Sequence, residues 1–175
     1  NVRVMDFDSP LLVERSLWLA TEDFAADVQA QTPCRMTGPR GVTAPLALIR
    51  TQAEAANTRG KLALLVLASG RHAAFGRGNT GIGAIVNAAA DAGAAGVVIV
   101  TTGASGEAIL LNVPEEPGLP LPVAILAPKL AAPFELAAAA GKQATLVLDA
   151  DLTRRPSKNV IARLEGTTHP DETVL

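Results

Sequence analysis

The sequence predicts an α/β domain, on three observations. Apolar runs of strand length, Ala44–Arg50, Lys61–Leu67, Gly96–Thr101 and Pro122–Ala127, are bounded by Gly, Pro and Asn. Two Ala-rich stretches, Gly83–Gly93 and Lys129–Ala140, have helical composition, and Gly93 and Gly141 stand where C-terminal caps belong. Lys61–Thr101 reads strand, loop, helix, strand, which is the order of a crossover between parallel strands.

Taken in order, residues 1–41 alternate short apolar pieces (Leu11-Leu12-Val13, Ser16-Leu17-Trp18-Leu19) with polar turns. Gln31-Thr32-Pro33 and Gly38-Pro39-Arg40-Gly41 interrupt any long element there. Two buried strands follow, joined by Thr51–Gly60, whose Ala, Glu and Asn content suits a turn or a single helical turn. A polar, glycine-rich loop after Ser69 leads to the first helix, of about three turns. Its small residues permit close packing on a sheet. Gly103–Pro122 is turn-rich, and Pro122 can open a strand because a strand's first position tolerates a missing N–H. Pro133 is admissible in the first turn of the second helix. Gln143–Asp149 alternates polar and apolar residues as a half-exposed strand does, Lys158–Leu164 predicts a last strand, and Glu165–Glu172 a polar loop.

Composition excludes several functions. With 175 residues, 49% of them hydrophobic, the chain can bury a substantial core. Fifteen Lys and Arg against 17 Asp and Glu leave a net charge of -2, with no basic surplus for a nucleic-acid backbone. The apolar run Leu62–Gly70 is far short of the roughly 20 residues of a membrane-spanning helix. A single cysteine, Cys34, precludes an internal disulfide, and two histidines, His72 and His169, do not supply a His-rich or Cys-rich zinc cluster. No initiator Met or hydrophobic leader opens the chain, and Thr173-Val174-Leu175 reads as the start of an apolar strand, so the expectation is a piece of a longer protein.

Few residues carry chemistry. Gly76-Arg77-Gly78-Asn79-Thr80-Gly81 fits the G-x-G-x-x-G spelling ahead of a helix, where a pyrophosphate would meet backbone amides. Against this, the loop from Leu67 is long for a tight first turn, and the strand ending at Thr101 supplies no acidic ribose ligand. Cys34 precedes Arg35, which can lower a thiol pKa, but a packed thiol is the simpler reading. Asp149-Ala150-Asp151 and Asp6-Phe7-Asp8 offer paired carboxylates, of a kind that usually faces solvent at strand ends. Trp18 and the four Phe (Phe7, Phe24, Phe75, Phe134) suit core or edge packing. Arg71, Arg77 and Asn79 share a loop near a helix N-terminus, where guanidinium groups can grip a carboxylate through paired hydrogen bonds; taken alone, a solvated loop is the favoured reading.

Gly60-Lys61-Leu62-Ala63-Leu64-Leu65-Val66, then Phe75 and Arg77-Gly78-Asn79, then Ala89-Ala90-Asp91-Ala92-Gly93-Ala94-Ala95-Gly96-Val97-Val98-Ile99, resemble the protease-associated domain. Leu119-Pro120-Leu121-Pro122-Val123-Ala124-Ile125 is similar to that family's later strand. Lys158–Thr167 and Pro170-Asp171-Glu172 resemble the stretch that leads, in zinc-dependent aminopeptidases and glutamate carboxypeptidases, to the first metal-binding motif.

The resemblance implies a compact, partly open β-barrel or sandwich with two or more short flanking helices. Residues 1–41 would be lead-in strands and turns, 42–150 the domain core, and 151–175 a return strand toward a zinc peptidase domain outside this sequence. It implies no catalytic or metal-ligating residue here, with zinc and catalysis in that other domain. This domain would act as a lid or wall that shapes access and orients peptides, in a secreted, periplasmic or envelope protein. Arg77, by position, would reach a substrate's terminal carboxylate, with Arg71 and Asn79 as lesser contacts. The rival expectations are a protein-interaction module and a small dinucleotide-binding domain.

Overall fold

The computed structural model describes residues 2–67, 81–101, 105–113 and 118–162. In chain order the strands are β1 (Val2–Ala20), β2 (Ala25–Asp27), β3 (Gln29–Ala30), β4 (Val42–Ile49), β5 (Leu62–Val66), β6 (Gly96–Val100), β7 (Val123–Leu126) and β8 (Gln143–Ala162). The helices are α1 (Gln52–Ala55), α2 (Gly81–Ala92) and α3 (Ala131–Ala139), the last preceded by a 3-10 turn over Pro128–Leu130. Among the described residues the strands form one mixed eight-stranded sheet in the order β2-β1-β8-β4-β5-β6-β7-β3. The fold is α/β and sandwich-like, as predicted.

β4, β5, β6 and β7 run parallel, in a register that sets Leu46 beside Leu62, Leu62 beside Gly96 and Val97 beside Val123. Parallel strands covered on both faces read as unbroken apolar runs, and Leu62–Leu65, Val97–Val100 and Val123–Leu126 are buried residue by residue. The predicted crossover is present: α2 connects parallel β5 and β6. It buries Ile82, Ala84, Val86 and Ala89 against a core that includes Leu65, Ile99 and Ile125. Gly96 allows β6 to approach its neighbours, since a Cβ there would lie 3.1 Å from Leu62 Cδ2 and 3.2 Å from the Pro122 carbonyl. α3 buries Phe134 and Ala137, and Pro133 sits near its start as expected.

The sheet's two outer strands are β2 and β3, which Val28 alone separates in sequence. β2 pairs with β1 and β3 with β7, both antiparallel. The sheet therefore curls until its edges are one residue apart, although no ladder joins β2 to β3. That geometry removes much of the open edge a flat sheet would present.

β1 and β8 are far longer than their sequence suggested. The expected pieces around Leu11–Val13 and Ser16–Leu19 form one strand of 19 residues, and the expected separate strands at Gln143–Asp149 and Lys158–Leu164 join through Pro156 into one of 20, described as far as Ala162. The chain divides into two compact units: its ends, before Glu14 and after Ala150, and the segment Glu14–Ala150.

Candidate functional site

A parallel sheet delivers its connecting loops to the carboxyl ends of its strands, which is where open α/β sheets gather ligand-binding groups. Here those ends are Ile49, Val66, Val100 and Leu126. The connection between Val66 and Gly81 carries the three predicted contact residues, Arg71, Arg77 and Asn79. All three lie outside the described residues, as do His72, Phe75 and His169. The flanks are described: the Leu67 amide donates to the Val100 carbonyl over 3.3 Å, and Gly81, with φ of 60°, opens α2.

The segment 105–113 begins at this edge and is held by buried polar groups. Thr101, next after β6, is buried, and its Oγ1 accepts from the Ile109 amide at 3.1 Å. Gln31 is 2% exposed; its Nε2 donates to the Leu111 carbonyl at 2.8 Å and its Oε1 accepts from the Leu111 amide at 2.7 Å. A side-chain amide thereby stands in for a strand neighbour. The Gln31 amide itself donates to the Val123 carbonyl at 2.9 Å, so the segment runs back from the end of β6 toward the start of β7. Ala108, Leu111 and Val113 pack on the core on the way, while Leu110 stays exposed. Lys129 and Glu107 form an exposed ion pair beside the 3-10 turn. The sequence reading missed both clamps, because neither Gln31 nor Thr101 lies in a pattern that points to its partner.

Other predicted features fall elsewhere. Cys34 is half-buried, with its Sγ 3.5 Å from the Val123 carbonyl. Burial pushes its pKa above the usual thiol value, against the lowering that Arg35 would have caused, so the packed-thiol reading holds. Asp149 is a correction to the solvent-facing expectation: it is buried, and its Oδ1 accepts from Arg15 Nε at 3.1 Å and Nη2 at 3.0 Å. Asp6 is exposed and pairs with Lys158 at 3.3 Å. Phe134 is core, whereas Phe7 and Phe24 are exposed rather than packed.

Among the described residues, no group of three or more His, Cys, Asp or Glu could hold a metal ion. The described side chains do not fit zinc. No described helix is long and apolar enough to cross a membrane.

No protein-family model and no curated protein sequence matches the chain. Solved structures do. A zinc aminopeptidase from Bacillus subtilis matches with a TM-score of 0.66 and 26% identity, over 98% of this chain and 39% of that one. A peptidase precursor from Shewanella amazonensis matches with a TM-score of 0.68 and 20% identity, over 96% of this chain and 42% of that one. A subtilisin-like protease from an Antarctic Pseudoalteromonas shares the fold at a TM-score of 0.55 and 13% identity, over 83% of this chain and 35% of that one. The chain is thus similar in fold to a part, about two-fifths in length, of a zinc aminopeptidase chain and of a peptidase precursor chain.

Proposed function

We propose that this chain is the protease-associated domain of a zinc-dependent exopeptidase, in which it acts as a wall or lid beside the catalytic centre and takes no part in bond cleavage. The observation that carries this reading is that nearly the whole chain superimposes on a minority share of a zinc aminopeptidase. Zinc, catalysis and the principal partner surface then belong to the remainder of the parent chain, and the protein works outside the cytoplasm. The loop between β5 and α2 supplies the contact: Arg77 pairs with a peptide's free carboxylate, with Arg71 and Asn79 beside it. Such contacts orient substrate and restrict its size, a positioning role.

The test compares hydrolysis of aminoacyl and N-acyl-glutamyl peptides, with zinc added, by residues 1–175 and by the same chain extended through its natural downstream sequence. Hydrolysis by the extended chain alone supports the reading; hydrolysis by residues 1–175 refutes it. In the extended enzyme, Arg77→Ala raises KM for substrates with a free carboxylate, and unchanged kinetics would remove Arg77 from the site. The fold's occurrence in a subtilisin-like protease favours one second reading, an interaction module away from any active site. That module would leave peptide kinetics indifferent to Arg77. A dinucleotide-binding domain would instead give a saturable thermal shift with NAD.

A further inference from the structure

Among its described residues, the unit formed by the chain's ends is a ribbon of two strands, β1 and β8, with exposed apolar side chains. Thr153 Oγ1 donates to the Leu11 carbonyl at 3.3 Å, and Lys158 Nζ lies 3.3 Å from Asp6 Oδ1. Five residues back along β1 match five forward along β8, so the two strands are antiparallel without slippage between these points. Side chains alternate between faces along each strand. One face then carries Val2, Val4, Leu152 and Val160, and the other Met5, Phe7, Leu11, Val13 and Ile161, all of them exposed. Val2 is 67% exposed, Phe7 42% and Val160 69%. Neither face is wholly polar, as one face of a half-solvated strand pair would be, although Asp6, Asp8, Arg154 and Lys158 stand among the apolar residues of the first face and Arg3, Asp151 and Arg155 among those of the second. Two strands extending beyond the sheet they belong to gain little support from one another in water, and exposed apolar surface of this kind marks an interface.

We infer that this ribbon, residues 2–13 with 151–162, is a docking element whose exposed apolar side chains are covered on both faces by the rest of its own parent polypeptide. The occupant follows from coverage. Matches spanning 96–98% of this chain account for only 39–42% of the matched chains, leaving about three-fifths of each for a covering layer. A covalent tether supplies that layer at high effective concentration, so no separate partner has to be recruited. The inference rests on the proposed function for the identity of that remainder.

Hydrogen exchange on the full-length natural protein, set beside residues 1–175, tests it. Amides of 2–13 and 151–162 are expected to exchange at least about tenfold more slowly in the full-length protein, independent of concentration. As a second readout, Val4→Lys with Val160→Lys lowers the full-length thermal midpoint and leaves that of residues 1–175 unmoved. Equal exchange in the two chains overturns the inference. So does protection in residues 1–175 that rises with concentration as the mass doubles, because the occupant is then a second copy. Peptide hydrolysis is assayed on the same full-length preparation. Hydrolysis with an unprotected ribbon defeats the docking alone; protection without hydrolysis defeats the peptidase reading alone.

Discussion

Gly41 has a φ of 64°, and a Cβ on it would lie 2.6 Å from Val147 Cγ2 and 2.7 Å from the Leu146 carbonyl. Both the torsion and the contact oppose a side chain, and the carbonyl belongs to a buried strand that cannot retreat. Gly41→Ala is expected to cost about 2 kcal/mol or more in urea unfolding. Gly38→Ala, with φ of 71° and open space around the Cβ, costs only the torsional part, so the difference between the two isolates the clash. Gln31→Leu leaves the Leu111 amide and carbonyl without their buried partner and is expected to cost about 1–3 kcal/mol, with faster exchange at Leu111. Cys34 stays a neutral thiol near pH 8, since burial raises its pKa above the ordinary 9.0. Its alkylation in the native protein is expected to be slow and to become fast on unfolding; equal rates would refute the burial account. Glycines at turns were legible in sequence. The atoms that would meet a Cβ at Gly41 were not, because Leu146 and Val147 are brought there by strand pairing.

Among the elements, α1 is the most local in origin. Thr51 caps it, its Oγ1 accepting from the Glu54 amide at 3.3 Å, while Glu54 Oε2 accepts from the Arg50 amide at 2.6 Å and the Thr51 amide at 3.0 Å. Thr51→Ala is expected to cost about 1 kcal/mol. These bonds favour the carboxylate, with the Arg50 amide the largest cause, and hold the Glu54 pKa below its ordinary 4.5. A lowered folded value means stability that is present above the unfolded pKa and lost as pH falls through the folded one. Glu54→Gln is expected to flatten that acid limb of the unfolding midpoint; an unchanged limb would refute the assignment. Thr51–Gly60, read as a turn or a single helical turn, holds α1, and the capping box that starts it is written within four residues. The lengths of β1 and β8 were illegible for the opposite reason. Pro10, Pro156 and the charges at Asp6, Asp8, Arg154 and Arg155 look like turn chemistry, and only pairing between strands remote in sequence makes them one ladder.

For the whole molecule, the predicted separation of fold from catalysis has a direct consequence for metal. A chelator is expected to abolish peptide hydrolysis by the extended parent chain and to leave the unfolding midpoint of residues 1–175 unchanged, since no described cluster here can hold a metal ion. A shift in that midpoint would place a metal site within this chain. Phe134→Ala, by contrast, removes the largest fully buried side chain among the described residues and is expected to cost about 3–5 kcal/mol whether metal is present or not. What the sequence determined by itself was the parallel core: apolar runs, Ala-rich helices and glycine caps are local signals, and burial on both faces leaves an unmistakable pattern. Tertiary structure alone decided the curled sheet with β2 and β3 one residue apart, the Gln31 and Thr101 clamps, the Arg15–Asp149 pair and the two-faced ribbon. Apart from the Thr101 clamp, which spans eight residues, these join residues distant in the chain, and a partner's position in space is set by the packing of everything between, which no local pattern records.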